Sequence, residues 1–240
     1  MKILAIDSSG LVASIALLED ETLIAEYTVN YKKTHSQTLL PMIDELVRMT
    51  EQSLEEIDAI AVAEGPGSFT GLRIGAATAK GLGLALNKPI IGVPTVDALA
   101  YNIFGYEGAI CPLMDARRNQ VYTGIYRFGA GELAALQPQC VVALEEIITQ
   151  LNVLGKSVIF VGDGVEVYKE QLEAQLLVPY QFAPAHCNKQ RAAAVGTLAQ
   201  IYYREGRVQT AAEHAPVYLR LSQAERERKE REERAERADS

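Results

Sequence analysis

The loop at residues 65–73, with the sequence GPGSFTGLR, has the residue types and the position that suit anion binding. It lies where an apolar strand is followed by a helix, and such a junction offers free backbone N–H groups to a phosphate. Glycine also lets a ligand approach the backbone closely. We therefore predict nucleotide or phosphate contacts at Gly65, Gly67 and Ser68.

The spacing of this loop excludes three familiar catalytic or nucleotide-binding loops. A Walker A loop requires Lys and then Ser or Thr after its second glycine, whereas Gly71 is followed by Leu72. A dinucleotide-binding fingerprint that begins at Gly65 requires its third small residue at position 70. Thr70 occupies that position, so this fingerprint is excluded too. A nucleophile elbow centred on Ser68 is excluded because proline occupies its first glycine position.

The helix predicted after this loop, which ends near residue 86, carries a stripe of small residues at every fourth position. The stripe consists of Gly71, Gly75, Ala79 and Gly83. Each glycine inside a helix costs about 1 kcal/mol relative to alanine, so three on one face require a structural reason. Two explanations remain open: the stripe packs on the protein's own sheet, or a helix of a second subunit approaches it.

The histidines and cysteines do not form a pattern that binds metal. The chain has three histidines, His35, His186 and His214, which are too scattered for a two-histidine site, and it has no HExxH motif. Its three cysteines form no CxxC pair, so a structural zinc site is not indicated. We assign no metal ligand and no catalytic residue.

Composition indicates an ordinary globular protein of 240 residues, of which 48% are hydrophobic and 22% charged. The N-terminus has only four apolar residues before Asp7, and no segment approaches the ~20 apolar residues of a membrane span. We therefore expect a cytoplasmic protein without membrane contact. The net charge of −8 makes independent binding of a nucleic-acid backbone unfavourable.

Apolar periodicity predicts two successive units with similar element order. The first unit has strands at residues 3–6, 12–18 and 23–29, a helix at 36–49, a strand at 57–63, the small-residue helix and a strand at 90–93. The second has strands at 109–114, 121–128 and 139–142, a helix at 144–151, a strand at 158–161 and a helix at 189–204. We predict a duplicated α/β fold with domains at 1–105 and 106–221. Residues 222–240 form a charged tail, helical or disordered, to which we assign no chemistry.

The first hairpin resembles the opening of the actin and hexokinase (ASKHA) superfamily, whose domains have a ribonuclease H-like fold. In that superfamily the turn approaches nucleotide phosphates, which implies phosphate contacts at Asp7, Ser8 and Ser9. Gly162 and Gly164 are similarly placed to the glycines that contact adenosine. The alternatives are a simple hairpin whose Asp and Ser bind their own backbone, and a plain turn at the two glycines.

Several longer motifs resemble the TsaB (YeaZ) family, over about residues 1 to 220. They are Asp7-Ser8-Ser9, His35-Ser36, Leu39-Leu40-Pro41, the whole loop through Arg73, Ala79-Lys80-Gly81-Leu82, Asp115-Ala116-Arg117-Arg118 and Pro216-Val217-Tyr218-Leu219-Arg220. The long glycine-rich loop is the most specific of these. The charged tail has no counterpart in the family pattern.

This resemblance implies a non-catalytic subunit of the complex that makes N6-threonylcarbamoyladenosine at the adenosine beside the anticodon of tRNA. It implies a TsaD-type catalytic subunit and a TsaE-type ATPase as partners, with tRNA bound through the complex. This chain would require no cofactor, and ATP or ADP with Mg²⁺ would enter through the complex. The sister TsaD group has a His-x-x-x-His metal pair after the strand that follows the loop, whereas residues 94–99 here are PTVDAL.

The resemblance also implies a partner surface on the helix at 36–49 and the small-residue helix beside it. Its expected residues are His35, Leu39, Ile43, Gly71, Arg73, Gly75, Ala79 and Gly83. We expect a homodimer through the same surface when the partner is absent. The competing function is a free-standing actin-like ATPase or small-molecule kinase that uses Asp7 and the glycine-rich loop to bind Mg-ATP.

Overall fold

The computed structural model describes residues 1–31 and 34–220. The charged tail that we predicted at residues 222–240 lies outside this range. The described residues form ten β-strands and six α-helices, arranged around two five-stranded mixed sheets. No helix among them combines the length and the apolar character needed to cross a membrane.

The first sheet is built by the first five strands of the chain. They are β1 (Lys2–Asp7), β2 (Ala13–Glu19), β3 (Thr22–Val29), β4 (Ala59–Gly65) and β5 (Ile90–Pro94). Their order is β3-β2-β1-β4-β5, with β1, β2 and β3 antiparallel and β4 and β5 parallel to β1. Three helices accompany them: α1 (His35–Thr50), α2 (Phe69–Leu86) and α3 (Thr95–Tyr101).

The second sheet repeats the first in strand order and in strand direction. Its strands are β6 (Ala109–Asp115), β7 (Gln120–Gly129), β8 (Glu132–Ala143), β9 (Val158–Val161) and β10 (Tyr180–Phe182), in the order β10-β9-β6-β7-β8. The helices α4 (Leu144–Leu154), α5 (Gly164–Gln175) and α6 (Ala192–Arg204) follow the same strands as α1, α2 and α3 do in the first half. The predicted fold class, a duplicated actin-like α/β fold with two mixed sheets, is confirmed.

Both faces of the first sheet are covered, which explains why the middle residues of its central strands are apolar. Alternate residues of β1 point to opposite faces. Ile3 and Ala5 pack against α6, whereas Leu4 and Ile6 pack in the cluster formed with α1 and α2. The glycine-rich loop and α2 are therefore held on a rigid, fully buried strand pair.

The predicted domain boundary is wrong for the last part of the chain. After β10 the chain returns to the first sheet, where Val195 and Leu198 of α6 pack against β1 and β2. Helix α3 in turn contributes Val96 and Leu99 to the core of the second sheet. Helix α3 therefore lies between the two cores, and α6, at residues 192–204, belongs with the first sheet rather than with a second domain at 106–221.

Candidate functional site

The glycine-rich loop packs directly on the turn between β1 and β2. The Ser68 backbone N–H donates to the Ser9 carbonyl oxygen at 2.7 Å. A Cβ atom added at Gly67 would lie 2.3 Å from that same oxygen, and one added at Gly71 would lie 2.1 Å from the Ser8 carbonyl oxygen. Glycine is required at both positions because the two backbones touch each other.

Asp7 is buried beneath this turn, and its carboxylate is bound by the turn itself. The backbone N–H and the hydroxyl of Ser9 donate to Asp7 Oδ1 at 2.9 and 2.6 Å. Burial raises the pKa of Asp7 to about 6, and the two Ser9 hydrogen bonds and the charge of His35 oppose that increase. The Ser8 hydroxyl donates to the Gly71 carbonyl oxygen at 2.9 Å.

Asp7 and Ser8 are therefore not phosphate contacts in this structure. Both side chains point into the protein and are bound by its own groups. The hairpin alternative, in which turn residues bind their own backbone, describes them correctly.

The predicted contacts at Gly65, Gly162 and Gly164 also serve internal packing. Gly65 has φ +122°, and a Cβ there would lie 2.2 Å from the Val217 carbonyl oxygen. At Gly162, with φ +118°, and at Gly164, a Cβ would lie 2.2 and 2.9 Å from the Leu113 carbonyl oxygen. The structure therefore explains these three glycines by close backbone packing rather than by a ligand.

A cavity of about 350 Å³ lies between the two units, and three of the eight predicted phosphate contacts line it: Ser9, Gly67 and Ser68. Its remaining lining residues are Gly10, Leu11, Phe69, Met114, Asp115, Ala116, Arg117, Tyr122, Asp163, Tyr218, Leu219 and Arg220. Sequence reasoning did not connect the segments at 115–117 and 218–220 with the glycine-rich loop, because they are far apart along the chain.

Two of the charged groups in this cleft, Asp115 and Arg117, pair with each other, and Arg220 is bound by the backbone. Asp115 accepts hydrogen bonds from the Arg117 backbone N–H at 2.8 Å and from the Tyr168 hydroxyl at 2.9 Å, and it forms an ion pair with the Arg117 guanidinium at 3.3 Å. Burial raises the pKa of Asp163. The Arg220 guanidinium donates to the Ala116 carbonyl oxygen. Asp115 therefore has a structural role, as the acidic partner of Arg117 in an ion pair.

The small-residue stripe of α2 faces the protein's own sheet. Gly71, Gly75, Ala79 and Gly83 are all buried, and a Cβ at Gly75 would lie 2.4 Å from the Ser8 hydroxyl oxygen. The first of our two explanations is therefore correct, and the partner contact predicted at these four residues is wrong.

Leu39 and Ile43 on α1 are not partner contacts either, because both are buried in the core of the first unit. The other two predicted interface residues are accessible. The half-buried His35 ring contacts the Gly10 carbonyl oxygen through Nε2 at 2.9 Å. The exposed Arg73 guanidinium lies over the Phe69 ring, 4.1 Å from its centre.

The solvent-facing side of α1 and α2 carries a set of exposed residues, of which we predicted only Arg73 as a partner contact. On α1 it contains Leu40, Pro41 and Asp44; on α2 it contains Thr70, Arg73, Ala77, Gly81 and Leu84. The side chain of Leu40 is 55% exposed and that of Leu84 is 69% exposed. The signal was present in the sequence, because the α2 residues recur at spacings of three and four.

Comparison with known proteins agrees with the motif resemblance. A family model described as TsaD, tRNA N6-adenosine threonylcarbamoyltransferase, matches residues 22–228. The tRNA threonylcarbamoyladenosine biosynthesis protein TsaB of Bacillus subtilis strain 168 is 39% identical over 173 residues, which cover 72% of this chain and 76% of that protein. TsaB of Escherichia coli strain K12 is 32% identical over 234 residues, which cover 92% and 95%. The chain belongs to the TsaB family.

Solved structures support the same assignment to the TsaB family. YeaZ from Pseudomonas aeruginosa superposes with a TM-score of 0.77 at 29% identity, covering 91% of this chain and 99% of that one. One individual protein named as a transferase matches over a shorter stretch. A tRNA N6-adenosine threonylcarbamoyltransferase of Protochlamydia amoebophila is 46% identical over 69 residues, which are 29% of this chain and 20% of that protein.

Metal-binding side chains are not clustered in the described part of this TsaB-family chain. Across residues 1–31 and 34–220, no three His, Cys, Asp or Glu side chains come together in a way that could hold a metal ion. The helix after β5, where the TsaD group has its His-x-x-x-His pair, begins here with the buried residue Thr95.

Proposed function

We propose that this chain is the non-catalytic subunit of the complex that synthesises N6-threonylcarbamoyladenosine on tRNA, where it supports a TsaD-type transferase. The observation that carries this proposal is the similarity to TsaB of Escherichia coli along 95% of that protein's length. A TsaE-type ATPase and tRNA would join through the complex, and ATP or ADP with Mg²⁺ would be bound there rather than by this chain alone.

The geometry of the cleft is consistent with a supporting role. Asp7 and Ser8, two of the predicted phosphate contacts, are bound to the chain's own turn and loop. The relatives likewise support the TsaB role and not the free-standing ATPase or kinase.

The partner surface that we now propose is the outward face of α1 and α2. Leu40 and Leu84 supply exposed apolar area, and the small exposed residues Ala77 and Gly81 of α2 allow another helix to come close. Arg73 adds a cation at one end. A homodimer through this same face is part of the proposal when the TsaD-type subunit is absent.

Gly81→Leu tests this surface. A Cβ at Gly81 meets no atom within 4 Å, so the substitution does not disturb the chain's own packing. It should even stabilise α2 by up to about 1 kcal/mol, because glycine is a poor helix former. We expect co-purification with the TsaD-type subunit to fall at least about tenfold, since the added side chain occupies the space of a docked helix.

The matched control is Thr149→Leu, which places a leucine at an exposed position of α4 in the other unit. This control should bind the partner as the parent does. Normal binding by folded Gly81→Leu protein would remove the surface assignment.

The function itself is tested by reconstituting tRNA modification with the TsaD-type and TsaE-type proteins of the same organism, with and without this chain. We expect modification to depend on the chain. Full modification in its absence would contradict the proposed role.

A further inference from the structure

Residues 216–220, the last described segment of the chain, cross the cleft and contact both units. At one end the Val217 backbone N–H donates to the Glu64 carbonyl oxygen at 2.7 Å, which fixes the segment to the end of β4. At the other end the Arg220 guanidinium donates to the carbonyl oxygen of Ala116, just after β6. We call residues 216–220 the strap.

The middle of the strap is held by an aromatic stack on the first turn of α2. The Tyr218 ring lies 4.3 Å from the Phe69 ring, centre to centre, with 27° between their planes. Arg73 Nε donates to the Tyr218 hydroxyl at 3.3 Å, while the same guanidinium lies over Phe69. Stacking and a hydrogen bond to a charged donor both fix the Tyr218 ring.

The glycine-rich loop is shaped to receive the strap. A side chain at Gly65 would place Cβ 2.2 Å from the Val217 carbonyl oxygen, and its φ of +122° is one that other residues rarely adopt. The first glycine of the loop therefore makes room for the strap backbone, at the position where we had predicted a phosphate.

We infer that the strap is a tie that locks the two units in one relative orientation. Apart from the strap, the described part of the chain passes between the units twice, once after β5 and once after β10, and α3 packs on α6 where it does so. Two such passages form a hinge about which the units can rotate. The strap adds a third connection across the cleft, between Glu64 and Ala116. It converts a fold that can open and close around a ligand into a rigid body.

The tie predicts how the distance between the units responds to strap variants. Spin labels can be attached at Glu55→Cys in the first unit and Glu173→Cys in the second, both exposed, with the half-buried Cys140 changed to serine. Pulsed electron resonance on the full chain should give one narrow distance distribution. Adding Tyr218→Ala and Arg220→Ala together should broaden it at least about twofold, because both the stack and the crossing hydrogen bond are lost.

The control is the pair Tyr180→Ala and Arg48→Ala. Tyr180 has the same exposed fraction as Tyr218, 38%, and packs beside an aromatic ring within the second unit. Arg48 pairs with Glu45 inside its own helix. The control should keep the narrow distribution, and a strap variant indistinguishable from it would overturn the inference.

Hydrogen exchange on the unaltered chain gives a second test that does not require the variant to fold. The Val217 amide should exchange at least about 100-fold more slowly than in an unstructured peptide, because its hydrogen bond to Glu64 persists. Exchange at the unstructured rate would show an open strap and refute the tie. Both readouts concern this chain alone, so they are independent of whether the proposed role in tRNA modification holds.

Discussion

Replacing Asp7 with asparagine should stabilise the protein near neutral pH relative to acid pH. Asparagine keeps an oxygen that can accept the two hydrogen bonds from Ser9, but it cannot ionise. In the parent, burial raises the pKa of Asp7 from its ordinary 3.8 to about 6, because the charged carboxylate is poorly solvated there.

The magnitude follows from linkage between ionisation and folding. A folded-state pKa above the unfolded value means that the stabilising contribution is fully present below pH 3.8 and is lost as the pH rises through about 6. At 1.36 kcal/mol per pH unit the whole contribution is about 3 kcal/mol. Most of it, about 2 kcal/mol, is lost between about pH 4 and about pH 7.5.

The assay is urea unfolding of parent and Asp7→Asn protein at several pH values across that range. Subtracting the two free energies of unfolding cancels the other titrating groups. The difference should shift in favour of asparagine by about 2 kcal/mol as the pH rises. Asp44→Asn, at an exposed position of α1, is the control with which the trend is compared. A difference that stays flat across the range would refute the assignment of a raised Asp7 pKa.

Two further predictions concern stability. Gly75→Leu should lower the free energy of unfolding by about 3 kcal/mol or more, measured in urea, because its Cβ would lie 2.4 Å from the Ser8 hydroxyl oxygen in a packed core; an unchanged unfolding midpoint would contradict the inward placement of the stripe. Burial lowers the pKa of His214, and the charge of Lys80 lowers it further, so its contribution is fully present above the ordinary value of 6.5 and is lost as the pH falls below it. His214→Gln should therefore remove part of the acid sensitivity of thermal unfolding between about pH 7 and about pH 5, and an identical pH profile would argue against this histidine.

The strongly periodic elements were predictable from sequence, and the short or weakly signalled ones were not. The strands β1, β2 and β4 are continuous apolar runs, and α1 carries a clear stripe, so burial on the sheet determines them. We missed α3 because it is only seven residues long and its N-terminus has no side-chain cap. We also missed α5, in which charged and polar residues surround the few buried apolar ones, and β10, because three residues carry no usable periodicity.

The sequence could not predict which face of α2 packs on the sheet, for a physical reason. This helix has small residues on two faces, one through Gly75 and Ala79 and another through Ala77 and Gly81. Periodicity identifies each face but does not say which one meets the sheet. Only the register against the Ser8 turn decides it, and that contact joins positions 67 residues apart along the chain.

Many of the residues that carry the family resemblance make close contacts within the protein itself. Gly65, Gly67 and Gly71 admit the strap and the first turn, while Tyr218 and Arg220 complete the tie across the cleft. In a protein that must open around a nucleotide, such contacts would oppose function. In a subunit that supports a partner they would serve it, because they hold the second unit in one orientation beside α1 and α2, the surface that we propose for docking. On the docking face that we propose, residues that tune partner choice should be sought outside these motifs, at exposed positions such as Leu84, where a substitution leaves the tie intact.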